Sequence, residues 1–147
     1  MKISDILPLS NILIDVKVNS KRQLLQELAE VAADSVKTDA RMVTDSVWER
    51  ENLGSTGYGG GTAFPHARID GIEKVTTVFA RLAGPTEFDA VDGKPVDLVF
   101  LLISPENSGA DHLTALAALS RLLKDQDVCE KLRQARSKEE VFAILNN

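Results

Sequence analysis

The residues best suited to chemistry lie in one short segment. Gly54-Ser55-Thr56-Gly57-Tyr58-Gly59-Gly60-Gly61-Thr62-Ala63-Phe64-Pro65-His66-Ala67-Arg68 carries five glycines and, near its end, one of the chain's two histidines. Glycine tolerates positive φ and close backbone approach, so successive N–H groups in such a stretch can converge on an anion. Turns need glycine as well, and a purely conformational role stays open for each one. No Lys-Ser or Lys-Thr pair follows the glycines, and the run leads into Pro65 rather than opening a helix. Neither a Walker loop nor a dinucleotide fingerprint fits, and nucleotide binding is not supported.

His66 follows Pro65, whose ring fixes φ just ahead of the imidazole and favours a defined orientation. An imidazole with an ordinary pKa of about 6.5 offers a neutral nucleophilic nitrogen near neutral pH. It can accept a phosphoryl group, and because the phosphoramidate is labile it can hand that group on. His112, the second histidine, is expected in the first turn of a helix, beside N–H groups that favour anions. Arg50, just ahead of the glycines, offers a planar fork for phosphoryl oxygens. Ser55 and Thr56 add hydroxyl donors. Taken singly, each has a plainer reading: His66 as a hydrogen-bonded loop histidine, Arg50 as a helix-end cation, His112 as a surface residue. His66, His112 and Cys129 supply three metal ligands with no short-spaced pair, so neither a metal nor a cofactor is expected.

Several elements must position these groups. Ser20 with Gln23 makes a capping-box start for a helix over 20–35 carrying Leu24, Leu25, Leu28, Val31 and Ala32 at helical spacing. A second helix, capped by Thr38 or Asp39, is expected to end near Gly54, which puts Arg50 at its C-terminal end. The glycine-rich stretches 54–65 and 84–95 read as loops. Val75 to Ala80 reads as a strand, Phe88 to Val91 as a short one, and Asp92-Gly93 as a turn. The apolar run from Val96 to Ile103 reads as a central strand covered on both faces. Beyond it, Asp111, Asp127 and Ser137 read as N-caps of three helices. The expected architecture is a three-layer α/β/α sandwich with a small mixed central β-sheet flanked by helices.

At 147 residues the chain suits one domain over 1–147. Its net charge of −5 argues against a nucleic-acid footprint, which needs clustered Lys and Arg. No stretch approaches the ~20 apolar residues of a membrane span, and Asp5 and Asn11 interrupt any signal-like run at the start. A cytoplasmic, non-membrane-inserted protein is expected. The single cysteine excludes an internal disulfide and is expected to pack in the core.

The residues Arg50-Glu51, Gly54-Ser55-Thr56-Gly57 and Gly61-Thr62-Ala63-Phe64-Pro65-His66, with His112 downstream, resemble the mannitol/fructose type (type 2) of enzyme IIA in the phosphotransferase system. The similarity extends over the whole chain. It implies a phosphotransferase in which His66 accepts a phosphoryl group from a phosphohistidine of an HPr-like carrier, while His112 and Arg50 line the same pocket and Gly54 to Gly57 form its phosphoryl-binding loop. Ala67-Arg68 and the opening MKISDILPLSNILIDVKVNSKRQLLQELAEVAA look most like the nitrogen-regulatory branch, since sugar-transporting members usually read Gly-Thr after the histidine. That branch implies regulatory targets such as potassium-transport or sensor proteins. Gly60 and Phe64 depart mildly from the family pattern. A sugar-specific member serving a IIB partner and a non-catalytic binding module are the alternatives.

Overall fold

A computed structural model describes residues 2–147. The helices are α1 (Ile3–Ile6), α2 (Lys21–Val36), α3 (Ala40–Leu53), α4 (Ala110–Lys124), α5 (Gln126–Gln134) and α6 (Lys138–Leu145). The strands are β1 (Ile12–Val16), β2 (Gly57–Gly59), β3 (Thr62–Ala63), β4 (His66–Ile69), β5 (Thr76–Thr86) and β6 (Val96–Pro105). All six strands join one mixed sheet in the order β1-β5-β6-β3-β2, with β4 also paired to β6. The β5–β6 and β2–β3 pairs are antiparallel, while β1 runs parallel to β5, and β3 and β4 run parallel to β6. This is the expected α/β sandwich with a mixed sheet.

Alternation along the strands sorts the core into two layers. Val78, Ala80, Leu82, Val99, Leu101 and Ile103 pack with α2 and α3, whereas Phe79, Leu98, Phe100 and Leu102 pack with α4, α5 and α6. The run Leu98 to Ile103 within β6 is wholly apolar and fits its place, paired with β5 on one side and with β3 and β4 on the other. Cys129 is buried in the second layer, as expected. No helix among the described residues is long and apolar enough to cross a membrane.

Ser20, Asp39 and Ser137 cap α2, α3 and α6 as read from the sequence. Elsewhere the structure differs. The glycine segment is not a plain loop: it folds into a short hairpin of β2 and β3, with Gly59, Gly60 and Gly61 at positive φ. Phe88 to Val91 makes no strand, because Asp89 takes a left-handed φ of 57° and breaks the extension. Its neighbours are held otherwise, with Val91 N–H donating to the Gly57 carbonyl at 2.8 Å. The strand β5 instead runs on through Gly84-Pro85, sequence that read as loop. Asp111 is not a cap, since α4 opens one residue earlier behind Gly109, whose φ of 51° suits glycine. For α5 the cap is Asp125, which accepts N–H bonds from Asp127 and Val128.

Candidate functional site

Registers of β3 and β4 against β6 are continuous: Ala63 lies opposite Val99 and His66 opposite Leu102. They are two pieces of one strand interrupted at Phe64-Pro65. Proline has no N–H to give a ladder. Around the break, the Phe64 N–H donates to the Thr56 carbonyl at 3.0 Å and the Pro65 carbonyl accepts from Leu102 N–H at 3.0 Å. The Phe64 carbonyl is left to lie 2.9 Å from Nδ1 of His66. A carbonyl only accepts, so Nδ1 carries the ring proton and Nε2 of the neutral ring keeps a free lone pair. Phe64 also meets the imidazole edge-on, with ring centroids 5.8 Å apart.

His112, in the first turn of α4, brings its ring to 5.9 Å from that of His66, centroid to centroid. It is buried, and its Nδ1 lies 2.6 Å from Oγ of Ser104 on β6. The structure therefore unites the two histidines that the sequence set far apart. Both are held neutral. Burial is the main cause of the lowered His66 pKa, and the Arg50 charge adds to it, while the Phe64 carbonyl pulls the other way. Burial again comes first for His112, whose pKa falls to about 4 with help from the Arg68 charge and, whenever His66 is protonated, from that ring as well.

Arg50 sits in the last turn of α3 as expected, and its Nη1 donates to the Gly54 carbonyl at 3.1 Å. Within the Gly54 to Gly57 loop the hydroxyls bond inside the protein. Ser55 donates to the Phe88 carbonyl at 3.1 Å, and Thr56 donates to Glu51 at 2.5 Å. Glu51 also accepts from Thr56 N–H at 2.8 Å and pairs with Lys21 at 3.0 Å, its own side chain almost wholly buried. The charged cluster thus clamps the loop to the ends of α2 and α3. On the far side of the hairpin, Arg133 of α5 pairs with Asp97 at 2.8 Å and donates to the Gly60 carbonyl at 2.9 Å. A Cβ on Gly61 would come within 2.7 Å of that guanidinium, which adds a steric reason for glycine to its φ of 79°.

Sequence reasoning missed Ser104, the Phe64 carbonyl and the Lys21–Glu51 pair. The signal for Glu51 was its place beside Arg50, and for Ser104 the hydroxyl that closes an otherwise apolar strand. A backbone carbonyl leaves no sequence signal.

Fold and site together define an α/β protein with two apposed, neutral imidazoles at the end of its central strand, beside an arginine. Residues 5–147 match the family model of the phosphoenolpyruvate-dependent sugar phosphotransferase system, EIIA 2, and the chain belongs to that family. It is 48% identical over 145 residues to a nitrogen regulatory protein of Bradyrhizobium diazoefficiens, covering 99% of this chain and 95% of that protein. It is 41% identical over 144 residues to a fructose-specific EIIA component of Haloferax volcanii, covering 97% and 94%. Among solved structures, the nitrogen regulatory protein IIA-Ntr from Neisseria meningitidis superposes with a TM-score of 0.93 at 41% identity, covering 97% of this chain and 98% of that one. The resemblance read from Arg50 to His66 and His112 is borne out at the level of the family.

Proposed function

We propose that this chain is a phosphoryl-accepting regulatory protein of the phosphotransferase system, with residues 1–147 acting as one enzyme IIA domain in the cytoplasm. The observation that carries the reading is the Nδ1–H donated to the Phe64 carbonyl, which leaves Nε2 of His66 as the nucleophile. In the transfer, the Nε2 lone pair attacks phosphorus, a new P–N bond forms, and the P–N bond to the carrier's phosphohistidine breaks. Its electron pair returns to the carrier's imidazole. No proton need move at His66, because Nδ1–H stays on the carbonyl throughout.

Arg50 neutralises charge spread over the phosphoryl oxygens, and His112 donates a hydrogen bond to them. The loop from Gly54 to Gly57 seats Arg50 through the Gly54 carbonyl. The donor is a phosphorylated HPr-like carrier. Phosphorylation adds about two negative charges at the surface, enough to change which regulatory targets dock. Likeness to nitrogen regulatory proteins supports targets in nitrogen and potassium control, such as potassium-transport or sensor proteins.

Incubation with purified enzyme I, its carrier and labelled phosphoenolpyruvate is the direct test. Acid-labile label on the wild type and none on His66→Ala is expected, and label retained by His66→Ala would sink the assignment. The fructose-specific relative favours a second reading, in which the phosphoryl passes to a IIB partner. Deletion that abolishes uptake of one sugar while sparing nitrogen and potassium responses would select it.

A further inference from the structure

Two chemically identical rings in one site are held by different partners, and the difference fixes where each proton sits. Ser104 lies on β6 on the same face as Leu102, and it is fully buried. Its Oγ has one hydrogen-bond partner among the described residues, Nδ1 of His112 at 2.6 Å. That contact can be written two ways. If Nδ1–H donated to Oγ, the hydroxyl proton of Ser104 would be buried without an acceptor, an arrangement folded proteins avoid. If instead the hydroxyl donates to a bare Nδ1, every group is satisfied, and the ring's single proton is on Nε2.

We infer that Ser104 is a positioning residue for phosphoryl transfer: by donating its hydroxyl to Nδ1 of His112 it keeps that ring's proton on Nε2, available to a phosphoryl group on His66. The two imidazoles then hold opposite tautomers. His66 presents a lone pair at Nε2, and His112 presents an N–H at Nε2. A nucleophile and a neutral hydrogen-bond donor are thereby made from the same side chain. The neutrality of His112, pushed down to about pKa 4, is what limits its ring to one proton and gives the hydroxyl something to decide. The role in transfer rests on the proposed phosphoryl acceptance by His66, whereas the tautomer itself does not.

Both parts can be read separately. Nitrogen-15 histidine labelling with two-bond proton–nitrogen correlation at neutral pH distinguishes a protonated Nδ1 from a protonated Nε2 in each ring. The expected spectrum shows His112 protonated at Nε2 and His66 at Nδ1. In Ser104→Ala, the His112 pattern moves to a mixture of tautomers while that of His66 stays, and uptake of phosphoryl from the phosphorylated carrier slows by about tenfold, the size of effect expected of one neutral hydrogen bond. A wild-type His112 protonated at Nδ1 would overturn the inference without any variant, so a Ser104→Ala protein that fails to fold does not shelter it. An unchanged His112 pattern in Ser104→Ala, or a changed pattern with an unchanged rate, would overturn it as well. A wild type that accepts no phosphoryl defeats the proposed function instead, and the spectra still decide the tautomers.

Discussion

The strand end that carries His66 and the helix turn that carries His112 solve one problem by unlike means. His66 is oriented by a backbone carbonyl left free of the ladder where Phe64-Pro65 interrupts the strand made of β3 and β4. His112 is oriented by a side chain, the hydroxyl of Ser104. A carbonyl survives any substitution that spares the fold, whereas a hydroxyl can be deleted. The ring assigned the covalent step has the anchor that mutation cannot remove, and the ring assigned the supporting step has the adjustable one.

The largest expected effect is on the first region. His66→Ala should take up no acid-labile phosphoryl at all, measured with the labelled carrier. Next comes the scaffold beneath it. Glu51→Ala leaves the mostly buried Lys21 ammonium with only the exposed Asp89 carboxylate, at 3.8 Å, and removes the acceptor of both the Thr56 N–H and its hydroxyl. A loss of about 3 kcal/mol in chemical denaturation is expected, the scale for breaking a buried pair from one side. In the second region, His112→Ala should slow phosphoryl uptake by about a hundredfold while His66 still becomes labelled, in line with removal of one preorganised donor. A comparable stability loss in all three proteins with equal residual uptake would erase the contrast between the regions.

The smallest effects concern acid. Because the His66 pKa lies below the ordinary value, more of its nitrogen is free at about pH 6.5 than in an ordinary imidazole, which is half protonated there. The midpoint at which the uptake rate of the isolated chain declines with acid should therefore lie below about 6.5. His112 carries a second signature. Between pH 6.5 and about 4 its unfolded form binds a proton that its folded form refuses, so stability is lost as pH falls across that window. Below about 4 both forms are protonated and this contribution levels off. Denaturation midpoints taken across the window should slope less in His112→Asn than in the wild type.

Much of this arrangement was legible in the residues. Apolar periodicity and capping residues located α2, α3, α6 and the central strand, because local hydrogen bonds and burial decide those elements. The glycine hairpin was misjudged as loop because its two strands are only a few residues long and owe their existence to β6, the Val91 N–H and Arg133, all remote in sequence. Phe88 looked like a strand residue by composition, but it is buried beneath Gly57 in irregular chain, where the left-handed Asp89 ends any ladder. For the site, the identities of His66, His112 and Arg50 could be read from type and motif. Their partners could not, since one is a main-chain oxygen and another, Ser104, closes a run whose pattern announces only burial.

The doubly paired central strand also sets how often each half of the site comes apart. Local opening is rarest where both edges of a strand are bonded, and it is commonest at helix ends. His66 is zipped directly to β6 opposite Leu102, while His112 sits in a first helical turn that has no side-chain cap. Amide exchange at Leu102, on the doubly paired β6, should therefore approach the global unfolding limit, while amides around Asp111 and His112 exchange through small fluctuations. The acceptor ring thus stands against the most protected strand of the sheet, while its neighbour owes its fixity to the Ser104 hydroxyl on that same strand rather than to its own helix turn.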